Sequence, residues 1–330
     1  MIEILSQSAL ATVQDLGRVG ALRWGVGTAG AMDRLALLCG NLLLGNSEGA
    51  AGIEMQIFPF EMRFDQDCSF ALSGADCAAT LDGVPLLPWS GASAQAGQML
   101  RLGLPRAGRW RGARAYVCVA GGIDVPIVLG SRSTQLRGAI GGLDGRALRQ
   151  GDRLAVGTPA DDAPAAVLAG IIPPALAMPL AVDGVPAVRV LPAAEYARFT
   201  PASRAAFWSE PWKITPQSDR YGFRLAGPVI EPIEPIELRS HGIVPGVIQV
   251  PHGGQPIVQM CDAQPSGGYP KIGTVIEADL WRLGQAPIGS RIRFVETGWE
   301  EALAALDEIE HWLAGIRRLL DLQRARSLGR

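Results

Sequence analysis

Residues 262–271 read Asp-Ala-Gln-Pro-Ser-Gly-Gly-Tyr-Pro-Lys. Asp262, Gln264, Ser266, Gly267, Gly268, Tyr269 and Lys271 set a carboxylate, an amide, a hydroxyl, a phenol and an ammonium beside two residues without side chains. Converging groups of these types are what a small polar ligand needs. In such a site Asp262 would orient a reacting group or act as general base, and Lys271 would face an anionic group or a developing oxyanion, with Asp262 as its partner. Gln264, Ser266 and Tyr269 would bind an amide or carboxylate. The same composition also describes a solvated exit from a hairpin. One further feature favours chemistry. Two of the 30 basic residues are lysines, Lys213 and Lys271, which leaves 28 arginines. A compact ammonium in this loop supplies what a planar guanidinium does not.

Secondary candidates lie elsewhere. Gln249 precedes the loop in a short apolar run, and Arg220 sits in the polar turn Ser218-Asp219-Arg220-Tyr221. Arg132 stands among the hydroxyls of Ser131, Ser133 and Thr134, a grouping that more often satisfies turn backbone than a ligand. Ser266, His252 and Asp262 have the residue types of a serine triad, but nothing fixes the serine on a strained turn. Gly25-Val26-Gly27-Thr28-Ala29-Gly30 fits the spacing of a dinucleotide loop and leads into a helix over 32–44. The required buried strand does not precede it, so the weaker reading is a glycine loop whose amides bind a carboxylate or phosphate. No phosphate-binding P-loop, HExxH or GxSxG is present. Three histidines (241, 252, 311) and five scattered cysteines indicate no metal site.

The elements that would hold the loop are mostly strands. Residues 247–250 and 257–260 are apolar runs, and 251–255 between them carry two glycines and a proline, which is hairpin chemistry. Strand after strand is expected between 53 and 156, and 41 glycines and 24 prolines favour short strands over long helices. Thr200 reads as an N-cap with Pro201 in the first helical position. From 299 onward Leu306, Ile309, Leu313, Ile316 and Leu320 recur at three and four, a helix whose stripe packs on its own chain or on a partner.

Composition narrows the class. The chain has 330 residues, 48% hydrophobic and 19% charged, and a formal net charge of −2, so there is no basic stripe for nucleic acid. No apolar run reaches the ~18 residues of a membrane span. The acidic start without a basic flank argues against a signal peptide. Unpaired cysteines at 39, 68, 77, 118 and 261 fit buried thiols in a reducing cytoplasm. The division expected is a first domain at 1–160, an Ala/Pro-rich linker at 161–184, a second domain at 185–297 and a C-terminal helix at 298–330.

Four ordered segments carry a resemblance: TVQDLGRVGALRWGVGTAGAMD from Thr12, AYVCVAGGIDVPIVLGSRSTQLRGAIGGLDGRAL from Ala115, SDRYGFRL from Ser218 and GVIQVPHGGQPIVQMCDAQPSGGYPKI from Gly246. They resemble the biotin-dependent carboxyltransferase family, which takes in 5-oxoprolinase C-type and allophanate hydrolase subunit 2-type chains. The resemblance implies a mainly β chain of two cyclophilin-like β-barrel domains with a few short helices. It implies work as one subunit of an ATP-dependent 5-oxoprolinase, with a B-type partner and a third subunit, opening 5-oxoproline to glutamate. ATP would act in the assembled complex. A second implied activity is carboxyl transfer to urea or a related amide, with biotin on a separate carrier, since the chain has no Met-Lys-Met attachment site. A third is a non-enzymatic antagonist of a kinase-inhibitor-like partner. The family loop commonly reads Gln-Thr-Thr-Gly-Gly, whereas here Pro265 removes one hydroxyl and a backbone donor and Ser266 keeps the other hydroxyl.

Overall fold

Alternation drives the first half of the chain. In the strand Phe60–Phe64, Phe60, Met62 and Phe64 are buried while Arg63 is exposed, so one face meets a core and the other water. The strand Ala115–Val119 is buried at every position. Its second face is covered by the helix Arg34–Leu44, which packs on it and on Cys68–Gly74. Close approach there demands a glycine: a Cβ on Gly40 would lie 2.7 Å from Cys118 Sγ. The computed structural model that shows this describes residues 1–6, 10–106, 112–159 and 169–328. Among these residues no helix is long and apolar enough to cross a membrane.

The chain divides into two compact units. The first comprises Met1–Val19, Ala29–Ala177 and Trp312–Arg330. It holds a seven-stranded sheet, which includes Ile2–Ile4, Phe60–Phe64 and Met99–Leu102, and a five-stranded sheet ordered Thr12–Gln14, Gly52–Met55, Ala115–Val119, Cys68–Gly74 and Ser90–Ala94. One core forms between them from Ile4, Phe60, Phe64 and Leu100 on one side and Val13, Ile53, Phe70 and Val117 on the other. Of the stretch 161–184 expected as linker, 161–168 lie outside the described residues. The remainder includes a turn of helix, Pro174–Ala177, and the strand Ala181–Val182.

The second unit comprises Gly20–Thr28 and Met178–His311. Its strands run Val185–Pro192, Lys271–Val275, Val247–Gln249, Ile257–Gln259, Gly222–Ala226, Trp212–Ile214 and Arg291–Glu296, and the last pairs in parallel with the first, which closes a seven-stranded barrel. The mainly β architecture expected from the sequence is therefore present, with the second unit closed by hydrogen bonding. Phe207 of the helix Pro201–Ser209 stacks on Phe294 at 4.7 Å and lies beside Trp212. The Thr200 hydroxyl accepts from the Ser203 N–H at 3.2 Å, the expected cap.

The helix Trp299–Leu328 follows the barrel. Leu313, Ile316 and Leu320 are buried, so this part of the stripe packs on its own chain.

Candidate active site

The 262–271 loop leaves the barrel strand Ile257–Gln259 and returns as Lys271–Val275. These two are successive barrel strands along the chain but not neighbours in the barrel, because Val247–Gln249 lies between them. Two strand spacings separate them, about 10 Å. That order decides the partners of the two charged residues expected to meet.

Asp262 continues the far strand, and its N–H donates to the Arg220 carbonyl at 2.9 Å. Its carboxylate takes the Arg220 guanidinium on both oxygens, Nε to Oδ2 at 3.1 Å and Nη2 to Oδ1 at 3.0 Å. Both side chains are buried. A bidentate, desolvated pair of this kind is a scaffold ion pair. This pair fixes Asp262 against Arg220 within the second unit.

Lys271 has a different partner from the one expected. Its N–H donates to Glu195 Oε2 at 3.1 Å, and its Nζ stands 3.5 Å from the same oxygen and 3.5 Å from the Tyr269 carbonyl oxygen. The expected Asp262–Lys271 pair is thus replaced by Arg220–Asp262 and Glu195–Lys271. Glu195 went unrecognised in the sequence because it precedes Lys271 by 76 residues and no local motif marks it.

Gln249 sits between the two pairs, opposite Lys271, where the register shifts after Ile248. Such an irregularity re-aims the side chains around it. Gln249 Oε1 accepts from Gln259 Nε2 at 3.0 Å, while Gln249 Nε2 and Gln259 Oε1 have no hydrogen-bond partner among the described residues. Gln259 is a second residue the sequence reading missed. Gly267 lies against this amide: a Cβ there would come within 2.6 Å of Gln249 Nε2. Ser266 and Gly267 pair with Gly242 and His241 in a two-stranded ladder that leaves Ser266 exposed. Gly268 and Gln264 are half-buried. Tyr269 is exposed, with its ring edge-on to His252 at 6.0 Å. Among the described residues His252 makes only this ring contact, so Ser266, His252 and Asp262 form no triad.

The glycine loop reaches this region. The Thr28 hydroxyl donates to the Cys261 carbonyl at 3.2 Å, next to Asp262. The helix beyond the loop does not offer an anion site. Asp33 is its N-cap, and its Oδ1 accepts from Ala36 N–H at 2.9 Å. The Met32 N–H goes to Glu54 Oε2 at 2.8 Å, and the Asp33 N–H to the Tyr116 hydroxyl, which itself donates to Glu54. Burial, then Glu54, pushes the Tyr116 phenol well above its usual range. The protein's own carboxylates fill the place of a phosphate, so this motif does not fit a nucleotide.

Arg132 belongs to the first unit. Its guanidinium pairs with Asp124 at 3.1 Å and donates to the Val125 carbonyl. Asp15 gathers the surrounding turn: its Oδ1 accepts from the Ser131 and Ser133 hydroxyls at 2.7 and 2.5 Å, and its Oδ2 from the Arg132 N–H at 2.5 Å. Ser131, Ser133 and Thr134 are satisfied within the fold, the turn-backbone reading of this cluster. Among the described residues no group of three or more His, Cys, Asp or Glu is placed to hold a metal. None of the five cysteines is in a disulfide, and burial pushes the Cys118 and Cys77 thiols up to about 12.

The model of the carboxyltransferase domain, subdomains A and B, matches residues 24–296. The chain belongs to the carboxyltransferase-domain family. It is 42% identical over 320 residues to the 5-oxoprolinase C-type subunit of Escherichia coli strain K12, spanning 94% of this chain and 96% of that one. The 5-oxoprolinase C-type subunit of Haemophilus influenzae is 40% identical over 321 residues, 97% of this chain and 99% of that one. The crystal structure of Kluyveromyces lactis urea carboxylase superposes with a TM-score of 0.83 at 28% identity, covering 94% of this chain and 29% of that one.

Proposed function

We propose that this chain is the C-type subunit of an ATP-dependent 5-oxoprolinase, which hydrolyses 5-oxoproline to glutamate together with a B-type partner and a third subunit. The observation that carries this reading is the similarity over nearly the whole of both chains to a subunit named for that activity. In this reading the 262–271 loop receives the lactam. The Lys271 ammonium, held beside Glu195, faces the substrate carboxylate or the oxygen that becomes anionic on attack. Ser266 and Tyr269 at the exposed rim, with Gln264 behind them, offer hydrogen bonds to the amide or carboxylate. Asp262, tied to Arg220, holds the loop in place. This reading assigns the nucleotide to the partner subunits, and it is supported by the Asp33 and Glu54 carboxylates that occupy amides at the phosphate-type motif of this chain.

A second reading is carboxyl transfer from carboxybiotin, on a separate carrier, to urea or a related amide. The structural likeness to urea carboxylase favours it. One experiment separates the two. The chain, purified with its partner subunits, is given ATP and 5-oxoproline, and in parallel ATP, labelled bicarbonate, a biotinylated carrier with its carboxylase, and urea. Glutamate release without label transfer is expected. Label transfer to urea without glutamate release would establish the second reading in place of the first.

A further inference from the structure

The helix Trp299–Leu328 presents two different sides over its first half. One is anchored: Ala302 and Ala305 are buried against Ile276 and Ala278, with Ile309 packed beside them. The Thr297 hydroxyl and the Gly298 N–H both donate to Glu301 Oε2 at 2.8 Å, which fixes the start of the helix. The other side shows Trp299, Leu303 and Leu306, which are 71%, 52% and 36% exposed. Spacings of four and three put them in one stripe. Singly exposed apolar side chains are ordinary, but three in register on a pinned helix, led by a tryptophan, form a contact surface.

Charge defines what fits it. Residues 299–316 carry five carboxylates and no lysine or arginine. Glu301 serves the cap, and Glu308 acts on Arg189 and Arg282. Glu300 and Asp307 are exposed and seven residues apart, two turns along one flank of the stripe. At its start an open hollow of ≈ 580 Å³ is lined by Glu296, Trp299, Glu300 and Glu301 among others.

We propose that this half of the helix docks a partner subunit through an apolar patch bordered by lysine or arginine. A second copy of the chain fits poorly: a two-fold interface would set the stripe against itself and bring the same carboxylates face to face. The proposal rests on the reading of the chain as one subunit of a larger enzyme.

The test titrates the full-length chain with the purified B-type partner by calorimetry, at low and high salt, for the wild type, Leu303→Asp, Trp299→Ala and Glu300→Lys/Asp307→Lys. Leu303→Asp and Trp299→Ala should each weaken Kd about tenfold or more at unchanged melting temperature. Salt should weaken wild-type binding, and the charge-reversed variant should lose that dependence. Three results would overturn the proposal: no binding by the wild type, an unchanged Kd in both apolar variants, or a wild-type homodimer that the variants dissociate while partner binding persists. Glutamate release keeps the two readings apart. Binding without release by the wild-type complex sinks the functional reading alone, and full release by the Leu303→Asp variant at subunit concentrations near the wild-type Kd sinks the docking alone.

Discussion

Lys271 and Asp262 each have a charged neighbour, and the two pairs differ in what they do. Glu195 holds both the backbone and the ammonium of Lys271 at the loop's end. Glu195→Gln keeps an acceptor for the N–H but removes the charge beside Nζ. Its turnover in the assembled complex should fall by up to about a hundredfold, while KM and melting temperature change little; an unchanged kcat would reject the positioning role. Arg220 is a different case. Arg220→Met leaves a buried carboxylate without its guanidinium, at a cost of about 3–5 kcal/mol. Urea unfolding should show that loss, and the double variant Arg220→Met/Asp262→Leu should recover most of it. Residue types alone brought out Asp262, Arg220 and Lys271, because an acid, a guanidinium and a rare ammonium are visible one at a time. Their pairing was not legible. It depends on which strand lies between them, and Glu195 and Gln259 carry no local signature.

At the scale of elements, local chemistry was read well. Thr200 caps its helix with Pro201 behind it, and the 247–249 and 257–259 strands form the expected hairpin. The insertion of that hairpin's first strand beside Lys271–Val275, and the parallel closure of the barrel, are long-range pairings that periodicity does not encode. Gly40 lies inside the helix Arg34–Leu44, where alanine would gain about 1 kcal/mol in helix preference. The Cβ would meet Cys118 Sγ at 2.7 Å and Ser73 Oγ at 3.3 Å, and overpacking costs typically about 1–3 kcal/mol. Gly40→Ala should therefore lower the melting temperature; a rise would show that the helix yields. Asp279 ties a barrel strand to the helical segment that follows Ile276. Its Oδ2 accepts from the Arg189 N–H and Nε at 2.7 and 2.9 Å, and its Oδ1 from Arg282 Nε at 2.9 Å. Burial pushes this carboxyl up, but the Arg189 hydrogen bonds and the two guanidinium charges outweigh it and hold it below the usual range. A depressed folded value gives stability that is fully present above the unfolded carboxyl's value and is lost as pH falls through the folded one. Asp279→Asn should therefore be less stable than wild type at pH 7 and lose less on acidification below about pH 4. Parallel acid limbs in urea midpoints would contradict this.

For the whole molecule, the sequence showed a mainly β chain and a long terminal helix, because alternation and the three-four stripe are written residue by residue. It did not show that Gly20–Thr28, far ahead in the chain, groups with the second unit and reaches Cys261. That grouping is made by contacts between distant segments. The family match and the near-full-length similarity to C-type 5-oxoprolinase subunits give the molecule its assignment, and the proposed function gives the central role to Lys271. The most direct test is ATP-dependent glutamate release from 5-oxoproline by the complex rebuilt with wild-type chain or with Lys271→Met. The wild-type complex should release glutamate. The variant, assembled and melting as the wild type does, should lose activity by about a hundredfold or more. Equal release by the two complexes would contradict the account.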